Sequence, residues 1–373
     1  MAITLNSELS SSRVITFSNI EFDPSHSIFI IKTLDDKSEI LVEYAPNIDR
    51  EFEGKLFDLH FFSNQYLNAE NDVFEVYEKE ISKRVGWIFP IQVLDSNEND
   101  FADNQFLNKY KFPVFSQLLT QGNLIKPDYK GGYNYRITDF FNEDIIVFVV
   151  SKETLPEEEQ LNILNYLPCF ANFGYYPWNN DHHQHFDQQQ GLAIKKRGDK
   201  KITIRKASLD ISQNQFLTDL YNIHLKSINH FLLKFYFLYQ VIEFMMEENF
   251  NTDFNSLVDE YKKNHLSKND LKEKINSITR ERGSISSLFE KATIPSTIET
   301  DFKRDCKALL ENYYSKTPES LGDLIYDTRN LVVHRYREIM KKDENVALLD
   351  LVTHELEVII NELIISYSPQ QWI

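Results

Sequence analysis

FLLKFYFLYQVIEFMM, Phe231–Met246, is the longest apolar stretch of the chain and decides the fold of its second half. It is shorter than the roughly 20 residues needed to cross a bilayer, and it carries Lys234, Gln240 and Glu243. These features predict a mostly buried helix of a soluble bundle, because its apolar residues recur at helical spacing. No membrane partner is expected.

Downstream of this stretch the helical pattern continues to the end of the chain. The segments share apolar stripes three and four residues apart, separated by short polar breaks. They are Asp253–Lys263, Lys268–Arg282, Thr297–Tyr314, Ser320–Lys341 and Ala347–Ser366. We therefore predict an all-α helical bundle over residues 207–373.

Upstream, short runs rich in β-branched and aromatic residues predict strands. Examples are SIFIIKT from Ser27, KLFDLHFF from Lys55 and DIIVFVVS from Asp144. One helix is predicted within Asn104–Gln121. Residues 1–206 are thus expected to form a β-rich domain with helical insertions, sandwich-like or barrel-like. The predicted fold class is α+β, with the β-rich domain followed by the helical bundle.

The charge of the chain is strongly acidic and unevenly distributed. The net charge is −17, from 40 Lys and Arg against 57 Asp and Glu. Residues 1–200 carry 18 basic and 31 acidic side chains, a net of −13, which leaves −4 for residues 201–373. This composition argues against a protein that coats nucleic acid in bulk. The second half is the better place for an anionic partner.

Cysteine usage and the first residues indicate the compartment. Cys169 and Cys306 are the only cysteines, which excludes a disulfide framework and an all-cysteine zinc site. Met1–Ser12 is polar and lacks the pattern of a secretory signal. We expect a cytoplasmic protein in a reducing environment, with Cys169 as a small core residue.

The segment most informative about chemistry is ESLGDLIYDTRNLVVHRYREIM, Glu319–Met340. At about 100° per residue, Asp323, Asp327, Asn330 and His334 fall on one side of a helix. Arg329 lies on a flank of that side, which it shares with Tyr336. The opposite side is an apolar stripe of Leu324, Ile325, Thr328, Leu331, Val332 and Ile339.

Arg329 and His334 are a suitable pair for phosphodiester chemistry without a metal. Histidine titrates near neutral pH and can move protons to or from a ribose oxygen. Arginine presents a planar cation to phosphate oxygens and can stabilise charge that develops in the transition state. Asn330 could orient the phosphate or the imidazole. The same pattern also arises as the solvated face of an amphipathic helix.

The motif RNLVVH, Arg329–His334, resembles the Arg-Asn-three-residues-His signature of the HEPN superfamily. FYFLYQVIEFM, Phe235–Met245, resembles the aromatic-rich helix that precedes this signature in ApeA-like and abortive-infection members. The final helix, Leu349–Ile365, also fits. The resemblance covers roughly residues 207–373 and leaves residues 1–206 unplaced.

This resemblance implies a helical bundle that dimerises, so that two Arg/His motifs share one cleft. It also implies RNA cleavage without metal or cofactor, which leaves a 2′,3′-cyclic phosphate and a 5′-OH. His334 would be the acid/base, Arg329 the phosphate stabiliser and Asn330 the positioning group. Glu243 matches the family's helix-end glutamate, and Asp327 and Tyr336 would support the motif.

Basic residues outside the motif are candidates for RNA contacts. KKRGDKKITIRK, Lys195–Lys206, has seven basic residues against one acidic residue. Together with Arg335, its side chains could contact phosphates, although a solvated hairpin explains the run equally well. The RNA-binding candidates are Lys195, Lys196, Arg197 and Arg335. No metal site is predicted, because Asp181, His182, His183, His185 and Asp187 match no established zinc spacing.

Two classes of function follow. The first is an RNA endonuclease of a bacterial toxin or antiviral abortive-infection system, with transfer RNA as one candidate substrate. Its β-rich half would sense a phage or host protein, or restrain activity. The second is a non-catalytic protein whose HEPN-like bundle dimerises while the β-rich half binds a protein or ligand. Exposure of Arg329 and His334 would favour the first class.

Overall fold

The computed structural model describes residues 17–33, 39–44, 56–64, 72–96, 99–121, 134–141, 145–154, 161–178, 200–228 and 230–367. Strands come first and helices last, so the predicted α+β class is confirmed. The chain divides into two compact units. The β-rich unit spans Met1–Ile163 and Phe173–Arg205, and the helical unit spans Leu164–Asn172 and Lys206–Ile373.

The described part of the β-rich unit contains two sheets. One has the strand order β1-β2-β3-β7 and the other β10-β5-β6-β8-β4-β9. The pairs β3–β7 and β5–β10 are parallel, and the other pairs are antiparallel. The strands are β1 Phe17–Asp23, β2 Ile28–Thr33, β3 Glu39–Glu43, β4 Phe57–Asn64, β5 Phe74–Glu78, β6 Lys83–Pro90, β7 Asn134–Tyr135, β8 Ile145–Ser151, β9 Tyr175–Pro177 and β10 Lys201–Ile204.

Both sheets and the predicted helix, α1 (Gln105–Gln121), contribute to one core. Phe29 of β2 stacks on Phe115 of α1 with 4.9 Å between ring centroids. In β4, Phe57, Leu59 and Phe61 pack against this core. These three residues share one face of β4 because only every second residue of a strand faces the same side.

The helical unit matches the predicted bundle except in its middle. Asp253–Lys263 is not a separate helix but the end of the long α5. A helix that the sequence reading missed, α7, follows Arg280; its run of Gly283, Ser284, Ser286 and Ser287 has weak helix propensity. The helices are α2 Leu167–Ala171, α3 Gln215–Asp219, α4 Leu225–Ser227, α5 Phe231–Lys262, α6 Lys268–Ile278, α7 Glu281–Glu290, α8 Ser296–Glu311, α9 Leu321–Ile339 and α10 Asp343–Ser366.

The described helices differ from membrane-spanning helices in length or in apolar character. None of them combines the length and the apolar character that a bilayer span requires.

A short segment from the first half belongs to the helical unit. At the end of α2, Asn172 donates from Nδ2 to Glu362 Oε1 over 2.8 Å, and Asn361 Nδ2 donates to Asn172 Oδ1 over 2.9 Å. Tyr221 completes the group by donating to Asn361 Oδ1 over 2.6 Å. Cys169 of α2 is buried and is not part of a disulfide, as predicted for a core residue. Buried polar groups need such partners, so removal of residues 1–206 would leave Glu362 and Asn361 short of theirs.

A carboxyl pair lies between α8 and α10. Glu355 is near Asp305 and has its Oε1 4.0 Å from Arg304 Nη2, while Arg304 also binds the Asp305 carboxylate over 2.7 Å. Burial, together with the adjacent Asp305 carboxylate, raises the pKa of Glu355 to about 8. An unfolded glutamate has a pKa of about 4.3. Between these two pKa values, Glu355 is therefore protonated in the folded protein and ionised in the unfolded chain.

This difference predicts the pH dependence of stability. Protonated Glu355 favours the folded state more than the ionised form does. This contribution to the free energy of unfolding is complete below about pH 4.3 and is lost as the pH rises through about 8. The Glu355→Gln variant keeps the shape without the titration. We expect its free energy of unfolding to exceed that of the wild type by about 1–3 kcal/mol at pH 8, and by much less at pH 5.

Urea denaturation at both pH values measures this effect. Glu247→Gln, at an exposed position of α5, is the control and should change stability little at either pH. An unchanged free energy of unfolding in Glu355→Gln at pH 8 would contradict the assignment.

Candidate functional site

The motif helix α9 is fixed by its cap and by a close approach to α7. Ser320 caps α9 by accepting a hydrogen bond from the backbone N of Asp323 over 3.2 Å. At Gly322, a Cβ atom would lie only 2.7 Å from the Cα of Ser286, so only glycine allows the two helices this close. The predicted apolar stripe is buried, and α9 packs against α7 and α8. The opposite, polar face is thereby held outward.

Arg329 is held by three neighbours. Its guanidinium lies over the ring of Tyr239 at 5.5 Å, and its Nε is 3.8 Å from Glu281 Oε1. Its Nη1 donates to Asn330 Oδ1 over 3.1 Å. The side chain retains 26% of its exposure, and Nη2 makes no hydrogen bond or ion pair with the described residues. The contacts of Nε and Nη1 therefore fix the orientation of the Arg329 guanidinium, and its Nη2 remains available to a ligand.

Tyr239 and Glu281 form the support beneath Arg329. The Tyr239 hydroxyl donates to Glu281 Oε1 over 2.8 Å, the same oxygen that faces Arg329. Burial, with the Glu281 carboxylate as a second cause, raises the pKa of Tyr239 well above its usual range. Tyr239 therefore stays a protonated donor at neutral pH, which fixes the Glu281 carboxylate in place.

His334 is exposed on α9 and makes no hydrogen bond or ion pair with the described residues. Asn330, one turn earlier, is half-buried and engaged with Arg329. Five residues separate Arg329 from His334, which corresponds to about 7.5 Å along a helix and about 140° around it. Within one chain, the side chains of Arg329 and His334 therefore lie about one and a half turns apart on α9 and point to different sides of the helix.

The three residues that the sequence analysis expects to support the motif lie in different surroundings. Glu243 is exposed on α5 and forms no ion pair within the described residues, and the carboxylate next to Arg329 is that of Glu281. Asp327 forms an ion pair with Arg282 of α7. Tyr336 is half-buried and has no side-chain hydrogen bond in the described part of the chain. Of these three residues, only Asp327 thus ties the motif helix to a neighbouring helix, α7.

Arg335, predicted as an RNA contact, is bound within its own unit. Its Nη1 donates to the Tyr313 carbonyl oxygen over 3.1 Å, its Nε donates to Glu338 Oε2 over 3.0 Å, and its guanidinium lies 5.1 Å from the Tyr313 ring. Its backbone, with φ −128° and ψ 19°, departs from helical values and kinks α9 directly after His334. Its contacts join the end of α8 to α9. The other RNA candidates, Lys195, Lys196 and Arg197, lie outside the described residues.

The sequence analysis gave Glu281 no role and placed it at the end of the predicted helix Lys268–Arg282, whereas the structure has it at the start of α7. One signal was present: Ile285, Leu288 and Phe289 have the i, i+3, i+4 spacing of a buried helix face, and all three are buried. That spacing would have placed Glu281 in the first turn of a helix beside α9. Tyr239, in contrast, lay inside the aromatic-rich stretch but had no role assigned to it.

No group of three or more His, Cys, Asp or Glu residues within the described ranges could hold a metal ion. The histidine-rich segment Asp181–Asp187 lies outside these ranges.

The Glu281 carboxylate should weaken anion binding at Arg329, because it already satisfies part of the guanidinium charge. We expect Glu281→Gln to tighten RNA binding by up to about fivefold, since a partly exposed ion pair is worth up to about 1 kcal/mol. The amide oxygen can still accept the Tyr239 hydroxyl, so Arg329 keeps its support.

Fluorescence anisotropy with a labelled RNA measures this, in a His334→Ala background so that the cleavage expected of the Arg/His motif does not consume the RNA. Glu290→Gln, at an exposed end of the same helix, is the matched control. Weaker binding by Glu281→Gln would show that the carboxylate serves the RNA and does not compete with it.

Comparison of the chain with protein-family models, with curated proteins and with solved structures found no match.

Proposed function

We propose that the helical unit is a metal-independent RNA endonuclease in which His334 transfers protons and Arg329 binds the scissile phosphate. One observation carries this proposal. A single helix presents an exposed imidazole without a partner and a guanidinium that is oriented on one side and open on the other. The resemblance of Arg329–His334 to the HEPN signature supports the same chemistry.

In the proposed reaction a ribose 2′-OH attacks its own 3′ phosphorus. The 2′-OH loses its proton to a base, the bond from phosphorus to the 5′ oxygen breaks, and the leaving 5′ oxygen takes a proton. The products are a 2′,3′-cyclic phosphate and a 5′-OH. Arg329 stabilises the charge that develops on the non-bridging oxygens, and its open Nη2 is the group available for this contact.

The complete site is proposed to contain two copies of the chain. In one copy, Arg329 and His334 diverge by about 140° around α9. A two-fold axis beside α9 would bring both motifs to one cleft, so that the two copies together supply the proton-transfer and phosphate groups. Light scattering at micromolar concentration should then report a homodimer.

The β-rich unit is proposed to regulate this activity. Its acidic character, net −13 over residues 1–200, disfavours RNA binding and suits either masking of a cationic cleft or docking of a basic protein. A phage or host protein is the proposed trigger, in a toxin or abortive-infection system acting in the cytoplasm. Transfer RNA is one candidate substrate.

A second function is favoured by the engagement of Arg329. Its contacts with Glu281 and Asn330 are also what a structural arginine would make. In this alternative, the bundle only dimerises and the β-rich unit binds a protein or ligand.

Paired substrates separate the two functions. Wild-type protein is incubated in EDTA with a single-stranded RNA and with the same sequence lacking every 2′-OH. Cleavage of the ribose strand alone is expected, because the 2′-OH is the proposed nucleophile. Cleavage of the deoxy strand, or cleavage only after magnesium is added, would contradict the mechanism. An intact dimer that cleaves neither strand would favour the second function.

A further inference from the structure

A pocket of about 550 Å³ lies in the helical unit between the second half of α5, α6 and the start of α7. We call it the α6 pocket and define it by Asn249, Phe250, Asp253, Lys274 and Ser287. Its volume falls in the range of sites that hold small molecules. Arg329 and His334 are not among its lining residues, so it is separate from the candidate functional site.

One largely buried side chain that lines the pocket, Asn249, has an amide donor that no described residue accepts. Asn249 is 4% exposed, and its Oδ1 accepts hydrogen bonds from Lys291 and from the Tyr367 hydroxyl. A lysine ammonium only donates, which fixes the orientation of the amide. Neither Lys291 nor Tyr367 lines the pocket, whereas Asn249 does. Its Nδ2 lies on the opposite corner of the amide and makes no hydrogen bond with the described residues.

The charges around the pocket exclude a phosphate ligand. Asp253 pairs with Lys291 at 3.0 Å, and Glu260 lies 3.5 Å from Lys274. Every cationic group at the pocket therefore has a carboxylate beside it. A multiply charged anion would meet two carboxylates and no uncompensated cation. The ligand that fits is neutral.

The walls of the pocket suit a flat ring with polar substituents. Four apolar side chains from α5 and α6 provide contact surface. Among the serines that line the pocket, Ser277 and Ser284 already donate to backbone carbonyls and can still accept a hydrogen bond from a ligand. The apolar residues are Met246, Phe250, Leu257 and Ile278. Because the Asn249 oxygen is already bound, the amide can only donate, so the ring must carry an acceptor such as a carbonyl oxygen.

We propose that the α6 pocket binds a neutral nucleoside or nucleobase whose ring carbonyl accepts a hydrogen bond from Asn249 Nδ2. The ring lies against the apolar wall and the ribose hydroxyls meet the serines. The base comes either from a free nucleoside or from a nucleotide of a bound RNA strand, and both present the same edge.

Inosine and purine riboside test this recognition, because they differ only at the ring carbonyl and its neighbouring N–H. Calorimetric titration of the full-length protein should give inosine a dissociation constant on the order of 10–100 µM. Purine riboside should bind about tenfold more weakly, since it leaves Nδ2 unpaired. Equal affinities for the two nucleosides, or no heat with either at millimolar concentration, would overturn the proposal.

Two variants locate the site. Asn249→Asp keeps an oxygen for Lys291 and Tyr367 but replaces the donor by an acceptor, so it should weaken inosine about tenfold and leave purine riboside nearly unchanged. Asn251→Asp, exposed two residues later on α5, adds the same charge and should bind as the wild type does. Ser287→Leu fills the pocket and should weaken both nucleosides. Unchanged inosine affinity in folded Asn249→Asp and Ser287→Leu would overturn the proposal.

A final arm distinguishes the source of the base. The His334→Ala protein is titrated with a short single-stranded RNA in the presence and absence of saturating inosine. Competition assigns the pocket to a base of the RNA, and independent binding assigns it to a free nucleoside. Both results support the pocket, and neither depends on RNA cleavage, so failure of the proposed ribonuclease activity would leave this test intact.

Discussion

Replacing His334 with alanine is expected to lower the rate of RNA cleavage by about 10²- to 10⁴-fold, the usual contribution of one acid/base group. His334 is exposed and bonded to no described residue, so its loss should open no cavity and break no contact of the fold. Single-turnover cleavage of a labelled RNA measures the rate, and thermal denaturation measures the fold.

His265→Ala is the matched control, because His265 is also exposed but lies after α5, away from the motif helix. Its cleavage rate should equal that of the wild type. Full activity of His334→Ala would remove His334 from the mechanism and favour the non-catalytic function.

Replacing Arg329 with alanine should lower cleavage by about 10²- to 10³-fold, comparable to the loss of one donor to a developing oxyanion. Arg329→Lys should restore only part of this rate, since a lysine keeps the charge but not the planar arrangement of donors. The half-exposed ion pair with Glu281 contributes about 1 kcal/mol or less, so both variants should remain folded.

Separate measurement of kcat and KM identifies what Arg329 does. A fall in kcat with little change in KM assigns the guanidinium to the transition state, as proposed. Arg136→Ala, at an exposed arginine of the β-rich unit, is the control for loss of one positive charge. An Arg329→Ala protein that melts far below the wild type would indicate a structural arginine instead.

The two faces of α9 could be predicted because a helix repeats every 3.6 residues. Leu324, Leu331 and Val332 are buried and His334 is exposed, as the spacing indicates. The support for Arg329 could not be predicted in this way. Glu281 lies on α7 and Arg329 on α9, and a contact between two helices depends on packing that no local pattern encodes.

The same limit applies to the division of the chain. The change from strand-like to helix-like patterns near residue 206 is visible in the sequence. The sequence does not show that Leu164–Asn172 belongs to the helical unit, because this depends on the hydrogen bonds of Asn172 with Glu362 and Asn361. The kink at Arg335 likewise follows from contacts with Tyr313 and Glu338. Spacing rules treat α9 as straight through that position.

The most direct test of the proposed function is end-group analysis of RNA cleaved by purified wild-type protein in the presence of EDTA. The mechanism predicts 2′,3′-cyclic phosphate and 5′-OH ends, because the neighbouring 2′-OH is the proposed nucleophile, and it predicts their loss in His334→Ala. Products with 5′-phosphate and 3′-OH ends, or the same ends at full yield from His334→Ala, would contradict it.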